Sequence, residues 1–240
     1  MRYVSVIQHT QSEWLGHVED HLEGRGIRFG YSRPFAAGGK LPDRNVLGDG
    51  LILIGGGAWG TATADRKLPT LDDEIRLVRA CLMLEKPVVG IGAGAQILAI
   101  AADGRSQAAP LTFTVGEARR VEADALNGFL PERFPLVVYM RDRPVPPAYA
   151  QVLAVDEEGL PALFQIGRNA FGFSGHPGVR RAMIEDLLME SDDIPEDPAV
   201  GLQKLLELGG AIEDALVPIM AGLMMLVGYL IIRRILDIEV

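Results

Sequence analysis

The chain has one cysteine in 240 residues, Cys81. A single cysteine excludes an intramolecular disulfide and a multi-cysteine metal site, and it fits a reducing compartment. An excess of positive charge is also missing. The formal net charge is −9 at pH 7, and lysines and arginines form no cluster in the sequence. Phosphate backbones need concentrated positive charge, so no nucleic-acid partner is expected. No long apolar stretch precedes the first strand-like segment, "RYVSVIQ", so no cleaved signal peptide is expected either. No internal repeat occurs.

What is present reads as a globular α/β chain. Hydrophobic residues make up 48% and charged residues 23%, and the length suffices for one sizeable domain plus an extension. Residues 3–7 predict a buried strand. Ser12 is placed to cap a helix on which Trp14, Leu15, Val18 and Leu22 recur at helical spacing, with Gly24 and Gly26 ending it. "IRFGYS", "GLILIGGG" and "PVVGI" predict further strands. Leu71, Ile75, Val78 and Leu82 mark a helix between the last two, and the residues from Gln96 onward predict another. Strand and helix alternate through the first hundred residues, which implies βαβ units and an open, mostly parallel sheet with flanking helices. Short strands near "LTFTV", "LVVYM", "QVLAV" and "PALFQI" predict an antiparallel extension. "AFGFSG" and a helix through Val179, Met183, Ile184, Leu187 and Leu188 close the domain.

In such sheets ligands bind beyond the carboxyl ends of the strands. Two glycine-rich strand ends qualify, Gly55–Gly57 and Gly90-Ile91-Gly92-Ala93-Gly94. The second has the spacing of a nucleophile elbow, a sharp strand-to-helix turn that projects one reactive side chain. "GGGAWG" at 55–60, "PVVGIGAGAQILA" at 87–99 and "FGFSGHPG" at 171–178 occur in that order. This set resembles the triad-type class I glutamine amidotransferases. Their pattern is a GG strand end, then P-V-x-G-I-C-x-G-x-Q-x-x-A, then G-x-Q-F-H-P-E. The resemblance covers roughly residues 1–190 and implies a flavodoxin-like α/β fold.

Carried over residue by residue, the resemblance places the family's nucleophilic cysteine on Gly92, its histidine on His176 and its triad glutamate on Gly178. Glycine supplies neither a thiolate nor a carboxylate to orient an imidazole. The expectation is therefore a non-catalytic pseudoenzyme, with no cofactor and no metal. Gly55, Gly56, Gly57, Ala93 and Gln96 are the candidate ligand-binding residues of a vestigial cleft. His176 is read as a satisfied core histidine, Cys81 as a small core residue and Asp142 as a solvated turn. Ser174 has no identified base partner.

After residue 190 the character changes. "SDDIPEDPAV" is acidic with two prolines and reads as a linker over 191–201, followed by a helical segment over 202–240. Residues 215–232, "ALVPIMAGLMMLVGYLII", carry no charge, and Arg233 and Arg234 follow. Eighteen uncharged residues lie within the span that crosses a bilayer, roughly 17–25 residues. They predict a single C-terminal membrane helix with the main domain cytoplasmic, although the two arginines by themselves point the other way. The resulting expectation is an accessory or structural subunit of an integral membrane complex, bioenergetic or transport, in contact with the lipid bilayer. Two alternatives stand beside it. One is an active amidotransferase or hydrolase with an unorthodox nucleophile. The other is a small-ligand sensor that uses the vestigial cleft.

Overall fold

A computed structural model describes residues 2–44, 46–190 and 193–236. Short apolar runs ending in glycine or polar residues form the parallel core of the sheet: β1 (Tyr3–Gln8), β2 (Arg28–Ser32), β3 (Gly50–Ile54) and β4 (Val88–Ile91). The helices between them are α1 (His17–Glu23), α2 (Leu71–Met83) and α3 (Ala93–Ala101). Next come β5 (Arg105–Gln107), β6 (Thr112–Arg120), β7 (Arg133–Met140), β8 (Arg143–Val145), β9 (Gln151–Val155), β10 (Pro161–Ile166) and β11 (Ala170–Phe173). Two helices end the chain, α4 (Arg181–Glu190) and α5 (Pro198–Leu236).

Nine strands form one sheet in the order β2-β1-β3-β4-β11-β10-β9-β6-β7, while β5 and β8 pair separately. The five strands from β2 to β11 are parallel, and the remaining pairings are antiparallel. Helices cover both faces. One apolar cluster, with Leu77, Val78, Cys81, Ile97 and Leu98, lies under α2 and α3. The other lies under α1, α4 and α5, with Val18, Leu22, Met183, Leu187, Leu205 and Leu216. Such double cover is why the central strands read as continuous apolar runs.

Two helix starts differ from the sequence expectation. The first helix begins at His17, not near Ser12, because Gly16 takes a positive φ of 59° and packs against the carbonyl of Gly178. The third begins at Ala93, directly from the strand end, so the elbow has no intervening loop.

The C-terminal helix corrects the largest expectation. α5 lies on the domain, against β6, β7, α1 and α4. Leu205, Ile212, Leu216, Ile219, Met220 and Leu223 are buried along one side of it. Gly201 abuts the ring of Phe113 and Gly222 abuts Phe129, so the helix backbone sits close on the domain. Six buried aliphatic side chains contribute on the order of 10 kcal/mol of gross hydrophobic stabilisation. Among the described residues no helix is long and apolar enough to cross a membrane. The uncharged run at 215–232 supplies a packing face for the sheet, and the expected membrane helix and membrane location are overturned. Residues 191–192 of the expected linker, and the side chains of Arg233 and Arg234, lie outside the described residues.

Candidate functional site

The elbow forms at the carboxyl end of β4. Gly92 caps α3 with φ 59° and ψ −117°, a left-handed conformation that costs an ordinary side chain strain. Its neighbours are glycines for lack of space. A Cβ at Gly90 would stand 2.3 Å from the Gly94 carbonyl oxygen, and one at Gly94 would stand 2.4 Å from that of Leu53. A Cβ at Gly92 would point at Gly55, 3.2 Å from its Cα. The structure thus brings Gly55, Gly56, Ala93 and Gly92 to one corner, where Ala93 Cβ backs directly onto Gly56.

The glycine loop at 55–57 is already occupied from within the chain. The amides of Gly56 and Gly57 donate to Oε2 of Glu13, at 3.1 and 3.3 Å. Any side chain at Gly55 would collide with that carboxylate. Glu13 is buried, and burial pushes its pKa up to about 7 despite the two amides and the nearby His9 that favour the charged form. Beside it lies a buried ion pair. Nε2 of His9 is 2.7 Å from Oε2 of Glu74, and Nδ1 is 2.6 Å from the carbonyl oxygen of Ile54. Burial alone would lower the pKa of His9, but Glu74 and the two acceptors outweigh it and hold the pKa above its usual value. Both ring nitrogens face an oxygen acceptor.

The hydroxyl of Tyr139 is buried without a hydrogen-bond partner among the described residues. Its pKa is pushed up to about 12 by burial and by the charges of Glu13, Asp193 and Glu190. Arg141 ties the glycine loop to the far side of the site. Its Nε donates to the Ala58 carbonyl at 2.7 Å, and its guanidinium pairs with Asp193.

The triad positions sit in a different environment. His176 is buried, with Nε2 2.8 Å from the carbonyl oxygen of Trp14. The amide of Gly178 donates to its Nδ1 at 3.1 Å. Desolvation lowers the pKa of His176 to about 4, so the ring is neutral at pH 7. Gly178 has no room for a side chain. A Cβ there would stand 2.6 Å from the Leu15 carbonyl oxygen and 2.9 Å from the Val18 amide nitrogen.

The remaining candidates are structural. Gln96 is fully buried. Its Oε1 accepts from Thr61 Oγ1 at 2.6 Å, and its Nε2 donates to the Arg141 carbonyl at 2.7 Å, so it bridges two loops. Ser174 donates to the Pro161 carbonyl at 2.6 Å. Cys81 lies in the core under α2. Asp142 is not a solvated turn. It is fully buried, and its Oδ2 accepts from the amides of Thr61, Ala62 and Thr63 at 2.8, 2.7 and 3.0 Å. Its Oδ1 accepts from the amide of Ala109 at 3.1 Å. Burial opposes its charge, but the Thr63 hydroxyl and the amides outweigh burial and hold the pKa below its ordinary value. Away from the elbow, a cleft of about 610 Å³ opens between loop 34–44 and α2, lined by Leu41, Arg44, Thr70 and Arg76 among others. None of the candidate ligand-binding residues lines it. Among the described residues no group of side chains is arranged to hold a metal ion.

His9, Glu13 and Glu74 carry the charge of this corner, and the sequence reading passed over all three. A signal existed. "QHTQSE" follows β1 directly, a polar string at the carboxyl end of a parallel strand, where such folds place their sites.

The fold so described is shared with solved glutamine amidotransferases. Neither a protein-family model nor a curated protein matches the sequence. Among solved structures, a glutamine amidotransferase from Thermotoga maritima is similar over 94% of this chain and 98% of its own, with 22% identity and a TM-score of 0.75. A glutamine amidotransferase from Methylobacillus flagellatus is similar over 94% of this chain and 95% of its own, with 20% identity and a TM-score of 0.78. A GMP synthase protein from Thermoplasma acidophilum matches more loosely, over 79% of this chain and 93% of its own, with 18% identity and a TM-score of 0.56. Residues before α5 make up about four fifths of the chain. The first two similarities therefore extend into α5, which is part of the shared fold.

Proposed function

We propose that this glutamine amidotransferase-like chain hydrolyses no glutamine and works as a non-catalytic, accessory subunit of a protein complex. The carrying observation is the corner around Gly92. The elbow position aimed at Gly55, Gly92, has no side chain, and the amides of Gly56 and Gly57 already bind Glu13. Two further facts support the reading. His176 spends both ring nitrogens on backbone groups, and position 178 has no space for a carboxylate. Without a nucleophile, a free base or an orienting acid, acyl transfer has no route through these residues. A scaffold retained without its chemistry acts through its surface.

The competing reading is an active amidotransferase, and the activity given for two of its structural neighbours favours it. Ammonia release from glutamine by the purified chain separates the two. No release above the rate of a His176→Ala variant is expected. Turnover lost in that variant would overturn the proposal. Affinity capture of the full chain from its native source should then recover a defined set of partner proteins.

A further inference from the structure

The loop between β2 and β3 stands off α2 and is pinned at both ends. At its start the amide of Ala36 donates to the Arg33 carbonyl at 3.1 Å, and that of Gly39 to the Ala36 carbonyl at 2.8 Å. Position 39 has no room for a side chain, since a Cβ would stand 1.9 Å from the Arg33 carbonyl oxygen. At its return, Nζ of Lys86 donates to the carbonyls of Leu47 and Gly48 at 3.1 and 2.8 Å. Between these anchors lies the cleft of about 610 Å³. A second cleft, of about 380 Å³, follows it along α2, and Arg44 lines both. Ligand sites are usually preformed and of this size, roughly 300–1,000 Å³.

The two halves of this groove differ in chemistry. Lys40, Arg44 and Arg76 line the first together with Asp43 and Asp73, and Arg76 pairs with Asp73. Cations thus outnumber acids there, in a chain whose net charge is −9. The second half is apolar. Leu47 and Cys81 are buried in its wall, Ala80 is half-buried, and Met83 and Leu84 stand 85% and 56% exposed. Large apolar side chains exposed singly are ordinary, but gathered at a cleft they mark a binding surface. A bare anion would use only the first half, and an uncharged chain only the second. The acids in the first turn of α2, Asp72 and Asp73, repel an anionic head from the helix start, which leaves Arg44 at the junction as its seat. We propose that the groove binds a small amphipathic anion, an acyl chain with a terminal carboxylate, its head at Lys40 and Arg44 and its tail along Ala80, Met83 and Leu84.

The helix sets the length of the tail. From residue 76 to residue 84, α2 and its cap rise about 12 Å. A medium-length chain such as decanoate matches that span. Each methylene buried should tighten binding about two- to fourfold. None of the candidate residues of the elbow lines the groove, so the inference stands or falls separately from the reading of that corner.

Calorimetric titration of the full chain with decanoate, below its micelle concentration, tests it. Saturable binding at one site in the micromolar range is expected. Butyrate keeps the head without the tail, and decanol keeps the tail without the charge; each should bind about tenfold more weakly, or less. Arg44→Glu and Met83→Glu change exposed positions, and each should weaken decanoate about tenfold or more. Arg119→Glu, at an exposed position of β6, should leave its affinity unchanged. Unchanged circular dichroism shows that each variant still folds. No saturable binding below about 1 mM, decanol bound as tightly as decanoate, or affinity indifferent to both groove substitutions would each overturn the proposal. So would self-association in sedimentation velocity that Met83→Glu abolishes, since a second copy would then fill the groove.

Discussion

The amide of Gly178 donates to Nδ1 of His176, 3.1 Å away, so the ring carries its proton on Nε2 and gives it to the carbonyl of Trp14. At the position where the sequence resemblance would place an acid, the structure presents the backbone amide of Gly178. The bond fixes the imidazole in the tautomer opposite to that of a triad, where Nδ1–H donates to a carboxylate and Nε2 is free to act as base. It does so while holding the ring neutral, buried and engaged on both nitrogens.

Placing a cysteine at the elbow should therefore confer no activity. Gly92→Cys tolerates the elbow backbone only with strain, since φ is 59° and the new Cβ meets Gly55 at 3.2 Å. The expected outcome is a folded protein with no glutaminase activity, measured by coupled ammonia detection. Turnover by this variant would show that His176 or another base is available to the elbow.

Gly178→Ala should destabilise the domain without touching any chemistry. The added methyl meets the Leu15 carbonyl and the Val18 amide, backbone atoms that cannot rotate away. A loss of about 1–3 kcal/mol is expected from such overpacking, read from the denaturant midpoint. An unchanged midpoint would mean that the 15–18 segment shifts freely.

Glu13 makes stability depend on pH. Its folded pKa, about 7, is raised above the ordinary 4.5, so the folded state holds a proton that the unfolded state has lost between those values. The stability this group contributes is complete below about pH 4.5 and is lost as pH rises through 7, about 3 kcal/mol at most. His9, also raised, acts in the same direction. His176 acts oppositely: its depressed pKa gives stability above pH 6.5 that is lost as pH falls towards 4. Glu13→Gln isolates the first effect. The stability of the variant relative to the native chain should rise between pH 5 and pH 8, measured by urea unfolding at both. A constant difference would place the Glu13 carboxylate in water.

Asp142→Asn should loosen the loop that carries Thr61–Thr63. The carboxylate accepts from four backbone amides, and an asparagine in its place turns an acceptor into a donor facing N–H groups. The expected cost is about 2–4 kcal/mol, with faster proteolysis near residues 61–67. Unchanged protease sensitivity there would assign the loop's order to Gln96 and Arg141 instead.

Much of this was legible in the sequence for local reasons. Alternation of apolar runs and helical spacing through residue 101 specifies βαβ units, because each period matches one backbone geometry. The elbow was legible because its glycines answer close backbone approach within a few residues of one another, as Gly90 does to Gly94. Glu13 and Asp142 were not legible. Each is defined by amides more than 40 and about 80 residues distant in sequence, and a carboxylate that reaches buried N–H groups looks the same in sequence as one that faces water.

The uncharged run at 215–232 marks the boundary most clearly. By itself the sequence determined that this stretch is helical, uncharged and framed by charges of opposite sign. It could not determine which surface receives the apolar side chains, because transfer from water favours any apolar surroundings and hydrophobicity has no direction. Only the tertiary structure decided that. The faces of β6 and β7 lie within reach of α5, and Leu205, Ile212, Leu216 and Leu223 are buried there rather than in lipid.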